Sequence, residues 1–248
     1  MQRRKIAFKI STVILSTLFA LVVAGVFASN IILKKVYDKV DKSDLYWNYN
    51  TILAKPYKYL KIDGGNITQI MFEQSKHPSV RVLNYWQGYQ KDSSVRAYVK
   101  NDTLYLKFRN KYRNEGEKYW MGGEVLVRLF APQLLTIEGK NTNFEMQKLK
   151  QSSISISLYG KSKFEVESYN HTFDTVKVTQ RDSSEVEFEM SPELKGSHEM
   201  NFKYINADIT GNSILDVGHG YVDDIKLNIA DSSAIILSGK TLKTAPKL

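Results

Sequence analysis

The chain has 248 residues, of which 42% are hydrophobic, 25% are charged and none is cysteine. That composition excludes a disordered chain and a multispan membrane protein, and the missing thiol excludes disulfide staples, thiolate metal sites, cysteine nucleophiles and a lipid-bearing cysteine. The net charge of +9 is uneven: residues 1–42 hold eight basic and two acidic side chains, the other 206 hold 27 and 24. A body so near balance argues against a nucleic-acid partner, which needs its positive stripe on the folded part.

Taken in chain order, the first feature is a run of 24 uncharged residues from Ile10 to Leu33, fenced by Lys9 and Lys34. A helix of that length reaches about 36 Å, more than the roughly 30 Å hydrocarbon layer. The run predicts a transmembrane helix over 10–33 acting as a signal anchor, after a basic cytoplasmic tail over 1–9. Val26-Phe27-Ala28 before Ser29 suits a signal peptidase, so a cleaved signal is the alternative; the apolar run through Ile31, Ile32 and Leu33 favours the uncleaved anchor. A short tail before a first apolar segment stays inside. The expected location is therefore the bacterial cytoplasmic membrane, single-pass, with the C-terminal domain in the periplasm. Residues 34–54 read as a juxtamembrane stalk. In it Tyr46, Trp47 and Tyr49 either lie at the headgroup level or cap the folded body.

From residue 57 onward apolar residues alternate at period two, which predicts half-buried strands. Val80, Leu104, Val125, Phe144, Phe164, Val186, Leu215 and Ile235 each have an apolar partner two residues later, and recur at spacings of 24, 21, 19, 20, 22, 29 and 20. Two positions before most of them stands a small or polar residue: Asp102, Gly123, Thr142, Ser162, Ser184, Ser213 and Ser233. A second family (Tyr57, Leu60, Ile62; Phe173, Val176, Val178; Val222, Ile225, Leu227) falls between these. Short strands recurring about every 20 residues are the period of a β-solenoid, in which like residues stack at about 4.8 Å. The expected fold is all-β: a right-handed parallel β-helix of about eight coils over 55–240, followed by a tail over 241–248. An antiparallel sandwich is the alternative. It is disfavoured because Asp63-Gly64 is the only two-residue hairpin dipeptide of its kind and does not recur.

The stretches YKYLKIDGGNITQIMFEQS (57–75), VRAYVKNDTLYLKF (95–108), VLVRLFAPQLLTIEGKNTNFEM (125–146), SISISLYGKSKFEVES (153–168) and LNIADSSAIILSG (227–239) resemble the auto-transporter adhesin head domain of bacterial envelope proteins, the GIN domain. The resemblance covers roughly 55–240. It implies a parallel β-helix outside the inner membrane and an adhesin-like character, with no reaction and no named ligand.

Motifs for chemistry are absent. The histidines His77, His171, His198 and His219 show no metal spacing, and neither a phosphate loop nor a GxSxG elbow occurs. No cofactor and no enzyme activity are expected. Three carboxylates, Glu165, Glu187 and Asp216, would stack as an acidic row if successive coils align. Such a row could bind a cation or supply the acid and base of a polysaccharide lyase or hydrolase, the alternative function; a solvated face balanced by Lys161, Lys163 and Lys177 is favoured. Candidate aromatic contacts are Tyr85, Trp86 and Tyr89, with Tyr119 and Trp120, which stack on sugars or partners or else cover the core. An excess loop at about 191–200 is a further place for binding. The expected function is a binding, adhesin-like or scaffolding module of the envelope. Its partners would be the membrane and an envelope protein or glycan, and self-association is possible through an exposed coil end.

Overall fold

A computed structural model describes residues 10–39, 41–84, 94–109, 125–147, 149–168, 171–189, 200–230 and 232–237. It contains two compact units, 1–47 and 48–248. In the first, helix α1 runs from Ile10 past Leu33 to Tyr37, and all of its residues are exposed. Lys34 and Lys35 lie in its last turn, where cations complement the helix dipole. Beyond it, Lys42 places its ammonium 4.2 Å from the centre of the Tyr37 ring.

The second unit is mostly β, with strands in two sheets. The first sheet has the order β1 (Tyr49–Leu53), β4 (Ser79–Leu83), β7 (Val125–Ala131), β3 (Gln69–Gln74), β9 (Asn143–Gln147), β11 (Lys163–Glu167), β14 (Glu185–Glu189), β16 (Ile214–Asp216) and β18 (Ala234–Ile236). The second has the order β12 (His171–Phe173), β15 (Met200–Ile209), β13 (Thr175–Gln180), β10 (Ser153–Tyr159), β8 (Thr136–Lys140), β2 (Tyr59–Asp63), β6 (Thr103–Phe108) and β5 (Val95–Lys100), with β17 (Val222–Ile229) also on β15. Among the described residues every pairing is parallel except β1–β4, β4–β7 and β5–β6.

From β8 onward the chain alternates between the sheets from strand to strand, except that β12 and β13 follow each other in the second sheet. Phe144, Phe164, Val186, Leu215 and Ile235 are register partners across the first sheet. Phe173, Phe202 and Val222 are partners across the second, as are Val176, Ile205 and Ile225. Phe144 and Phe164 stack with centroids 5.4 Å apart, Phe173 and Phe202 with centroids 5.6 Å apart, and Phe188 meets both of the latter edge-on. These rings are fully buried, and each removes enough apolar surface from water to contribute about 2–3 kcal/mol.

The corners between the sheets repeat as well. Asn141, Gly160, Asp182 and Gly211 all have positive φ (50°, 66°, 67° and 76°), the region open to glycine and tolerated by Asn and Asp. Each is followed by a buried hydroxyl residue: Thr142 one residue after Asn141, and Ser162, Ser184 and Ser213 two residues after the other three. The small side chain lets the chain turn inward, and its carbonyl receives the next strand. Lys163 N–H donates to the Thr142 carbonyl (2.8 Å), Glu185 N–H to Ser162 (2.8 Å) and Ile214 N–H to Ser184 (3.0 Å).

The first half departs from the expected eight-coil register. Val80 lies antiparallel to β7, opposite Leu129, whereas Leu104 belongs to the other sheet, opposite Leu60. Neither is a rung below Val125. A two-residue turn at Asn101 (φ 50°) and Asp102 (φ 55°) folds β5 back on β6 as a hairpin in the second sheet, while β4 runs antiparallel between β1 and β7 in the first. Strand β2 is inserted between β6 and β8, and β3 between β7 and β9, so spatial order no longer follows chain order. Gly64 and Gly65 have positive φ but connect β2 and β3, which lie in different sheets, so Asp63-Gly64 is not a hairpin turn.

Candidate functional site

The outer face of the first sheet carries the row of ionisable residues. Side chains alternate along a strand, so with Phe164 and Val166 buried, Lys163, Glu165 and Glu167 project outward from β11. The parallel register sets Glu145, Glu165, Glu187 and Asp216 on consecutive strands at one level. Lys163 closes the centre of this row: its Nζ lies 2.5 Å from Glu165 Oε1 and 2.9 Å from Glu187 Oε2. Burial works against the Lys163 charge, but the hydrogen bonds and attraction from Glu165 and Glu187 outweigh it and hold the ammonium above its ordinary value. Glu187 is raised above the ordinary carboxylate value, first by burial and then by its neighbour Glu185, against the pull of Lys163.

Glu145, at 5% exposure, is the buried member of the row. Gln69 Nε2 and Gln147 Nε2 both donate to its carboxylate, the latter at 2.5 Å. Burial raises its pKa in spite of these donors. At the far end, Asp216 turns back on its own chain and accepts the Gly218 N–H at 2.8 Å. At the near end the row changes sign. Met71 is the partner of Glu145 on β3, and next to it Arg128 on β7 pairs with Glu73 at 2.6 Å and lies 5.2 Å from the centre of the Tyr49 ring. Tyr49 also donates its hydroxyl to the Val125 carbonyl at 2.6 Å, so this ring belongs to the β unit.

Among the described residues no group of three or more His, Cys, Asp or Glu is arranged to hold a metal ion. Between Glu165 and Glu187 the cation is the lysine of the same strand. A glycoside-cleaving pair needs one carboxylic acid and one carboxylate with the sugar between them, and Lys163 occupies that place. His171 bonds the Gln151 carbonyl through Nε2 (2.7 Å) and packs edge-on against Phe173. Tyr85, Trp86, Tyr89, Tyr119 and Trp120 lie outside the described residues, as do 191–199 of the expected excess loop. Glu145 was not singled out in the sequence. Its signal was present: Phe144-Glu145-Met146 repeats the pattern of Phe164-Glu165-Val166.

No protein-family model and no curated protein matches the chain. Among solved structures, a candidate adhesin of Bacteroides fragilis is similar at 12% identity and a TM-score of 0.41, covering 75% of this chain and 94% of its own. A candidate lipid-binding protein of Parabacteroides distasonis is similar at 14% identity and a TM-score of 0.35, again over 75% and 94%. A candidate adhesin of the same species is similar at 15% identity and a TM-score of 0.36, over 77% and 94%. Likeness at these values carries no assignment of function to this chain.

Proposed function

We propose that the chain is a membrane-anchored binding or scaffolding module of the bacterial cell envelope, without catalysis. In this reading residues 10–33 cross the cytoplasmic membrane as an uncleaved anchor, and the stalk is 34–47, because β1 already pairs within the first sheet. Residues 55–240 form a domain of GIN type outside the cytoplasm, whose strands from β8 onward wind as a right-handed parallel β-helix and whose first half adds antiparallel strands and a hairpin to it. The observation that carries the reading is α1, long and apolar enough to cross a bilayer and exposed at every residue. Such a surface is untenable in water and natural in lipid. The alternation of parallel strands between two sheets supports the β-helix, and the right hand follows the usual chirality of parallel crossovers. The bridging of Glu165 and Glu187 by Lys163 speaks for a structural acidic row rather than the glycan-cleaving alternative.

The test exploits the absence of cysteine. A full-length Lys177→Cys variant, exposed on β13, is expressed in a Gram-negative host. The reading expects full-length protein in the membrane pellet after alkaline carbonate washing, and labelling of intact spheroplasts by an impermeant maleimide. A shortened soluble product, or a thiol labelled only after lysis, overturns it.

A further inference from the structure

The outer face of the second sheet differs in chemistry from the first. Across β5, β6, β2 and β8 one row reads Tyr98, Tyr105, Lys61 and Glu138, and the next reads Arg96, Lys107, Asp63 and Lys140. Tyr98 and Tyr105 lie parallel with centroids 5.0 Å apart, and Tyr98 is 42% exposed. Beside them Lys61, Asp63, Tyr105, Lys107, Glu138 and Lys140 line a groove of about 390 Å³, within the usual range for a small-ligand site. Lys61 is held by Glu138 at 2.6 Å. Lys107 and Lys140 form no ion pair with any described residue.

We infer that this groove binds a carboxylate-bearing sugar chain, a uronate-type glycan. The inference rests on the binding-module reading and names its ligand class. Lys107 and Lys140 supply two ammonium groups for sugar carboxylates, Glu138 and Asp63 supply acceptors for sugar hydroxyls, and the tyrosine pair supplies rings on which the C–H face of a pyranose stacks. The mixture separates this ligand from other polyanions. A phosphate backbone would meet Glu138 and Asp63 as repulsion with no hydroxyl-rich partner to offset it. A bilayer needs aliphatic side chains to insert. Among the described residues of the β unit the exposed large hydrophobics are Tyr59, Tyr98, Tyr221 and Ile236, and none on this face is aliphatic.

The experiment titrates full-length protein in neutral detergent with oligogalacturonate, with a maltooligosaccharide of equal length, with single-stranded DNA and with phosphatidylglycerol vesicles. The inference expects saturable oligogalacturonate binding at least about tenfold tighter than to the other three probes. The double variant Lys107→Gln/Lys140→Gln, with an unchanged melting curve, is expected to lose about tenfold or more, the scale of two charge-assisted hydrogen bonds. Tyr98→Ala is expected to weaken binding several-fold, and Lys226→Gln, on a distant strand of the same sheet, to leave it unchanged. No oligogalacturonate binding, binding indifferent to Lys107→Gln/Lys140→Gln, or equal binding of DNA or vesicles overturns it. Carbonate extraction does not depend on sugar, so failure here is distinguishable from failure of the anchor.

Discussion

Lys163 holds Glu165 of its own strand and Glu187 of the next strand with one ammonium group, at 2.5 and 2.9 Å. The two carboxylates are register partners, a spacing at which like charges repel, and the lysine turns that repulsion into a cross-strand tie. All three side chains are a quarter exposed or less, so water screens them weakly. Lys163→Met is expected to lower unfolding free energy by about 2 kcal/mol, since it strands two half-buried anions. The double variant Lys163→Met/Glu187→Gln should recover part of that loss. Urea titrations of the three proteins measure both effects.

Glu145 and Glu187 give a pH dependence of definite sign. Both have folded-state pKa values raised above the ordinary 4.5, so the folded protein binds protons more tightly than the unfolded chain. Their contribution is complete below pH 4.5 and is lost as pH rises through the raised values. Asp174 and Asp208 act in the opposite sense: Lys203 and Arg181, respectively, hold them below the ordinary value, so their contribution is lost in stronger acid. Glu145→Gln is therefore expected to flatten the decline in stability just above pH 4.5. Thermal melts across pH 4 to 8 provide the comparison, and an unchanged slope would contradict the assignment.

Gly211 sits at a corner with φ of 76°, where a β-carbon would collide with the Asp182 carbonyl of the neighbouring corner. Gly211→Ala is expected to cost about 2 kcal/mol or more, from left-handed strain plus displacement of backbone. Asp182 tolerates the same region because its carboxylate accepts the Gly160 N–H at 2.8 Å. Asp182→Ala keeps the strain and loses that bond, so it too should destabilise in a denaturant titration.

At the β5–β6 turn, both Asn101 and Asp102 have positive φ. Asp102→Gly keeps the carbonyl that receives the Lys58 and Tyr59 N–H groups and relieves the backbone, so it should stabilise by about 0.5 kcal/mol. Asp102→Val should destabilise by about 1–2 kcal/mol, because a branched β-carbon fits this region poorly. The same titrations distinguish the two.

The second half of the β unit was legible because its contacts are short in sequence and periodic. Spacings of 20, 22 and 29 placed Phe144, Phe164, Val186 and Leu215 in line, and the hydroxyl residues Thr142, Ser162, Ser184 and Ser213 marked the corners. The first half was not legible, since β2 and β3 take partners far along the chain and local alternation reports burial, not partner identity. The hairpin escaped because Asn101-Asp102 can adopt the turn without the glycine that usually advertises it. The tyrosine–lysine groove escaped for a related reason: its residues come from β2, β6 and β8, and no single segment carries its pattern.

The insertion of β2 and β3 sets an order of assembly. Gln69 and its partner Glu145 are 76 residues apart, whereas contacts such as Gln147 with Glu167 span 20. A chain leaving the ribosome from its N-terminus must wait for β8 and β9 before either early strand has both neighbours. Closing such long loops is slower than zipping adjacent coils. The early strands therefore travel with bare hydrogen-bonding edges, which makes a holding chaperone most valuable while the first 147 residues are emerging.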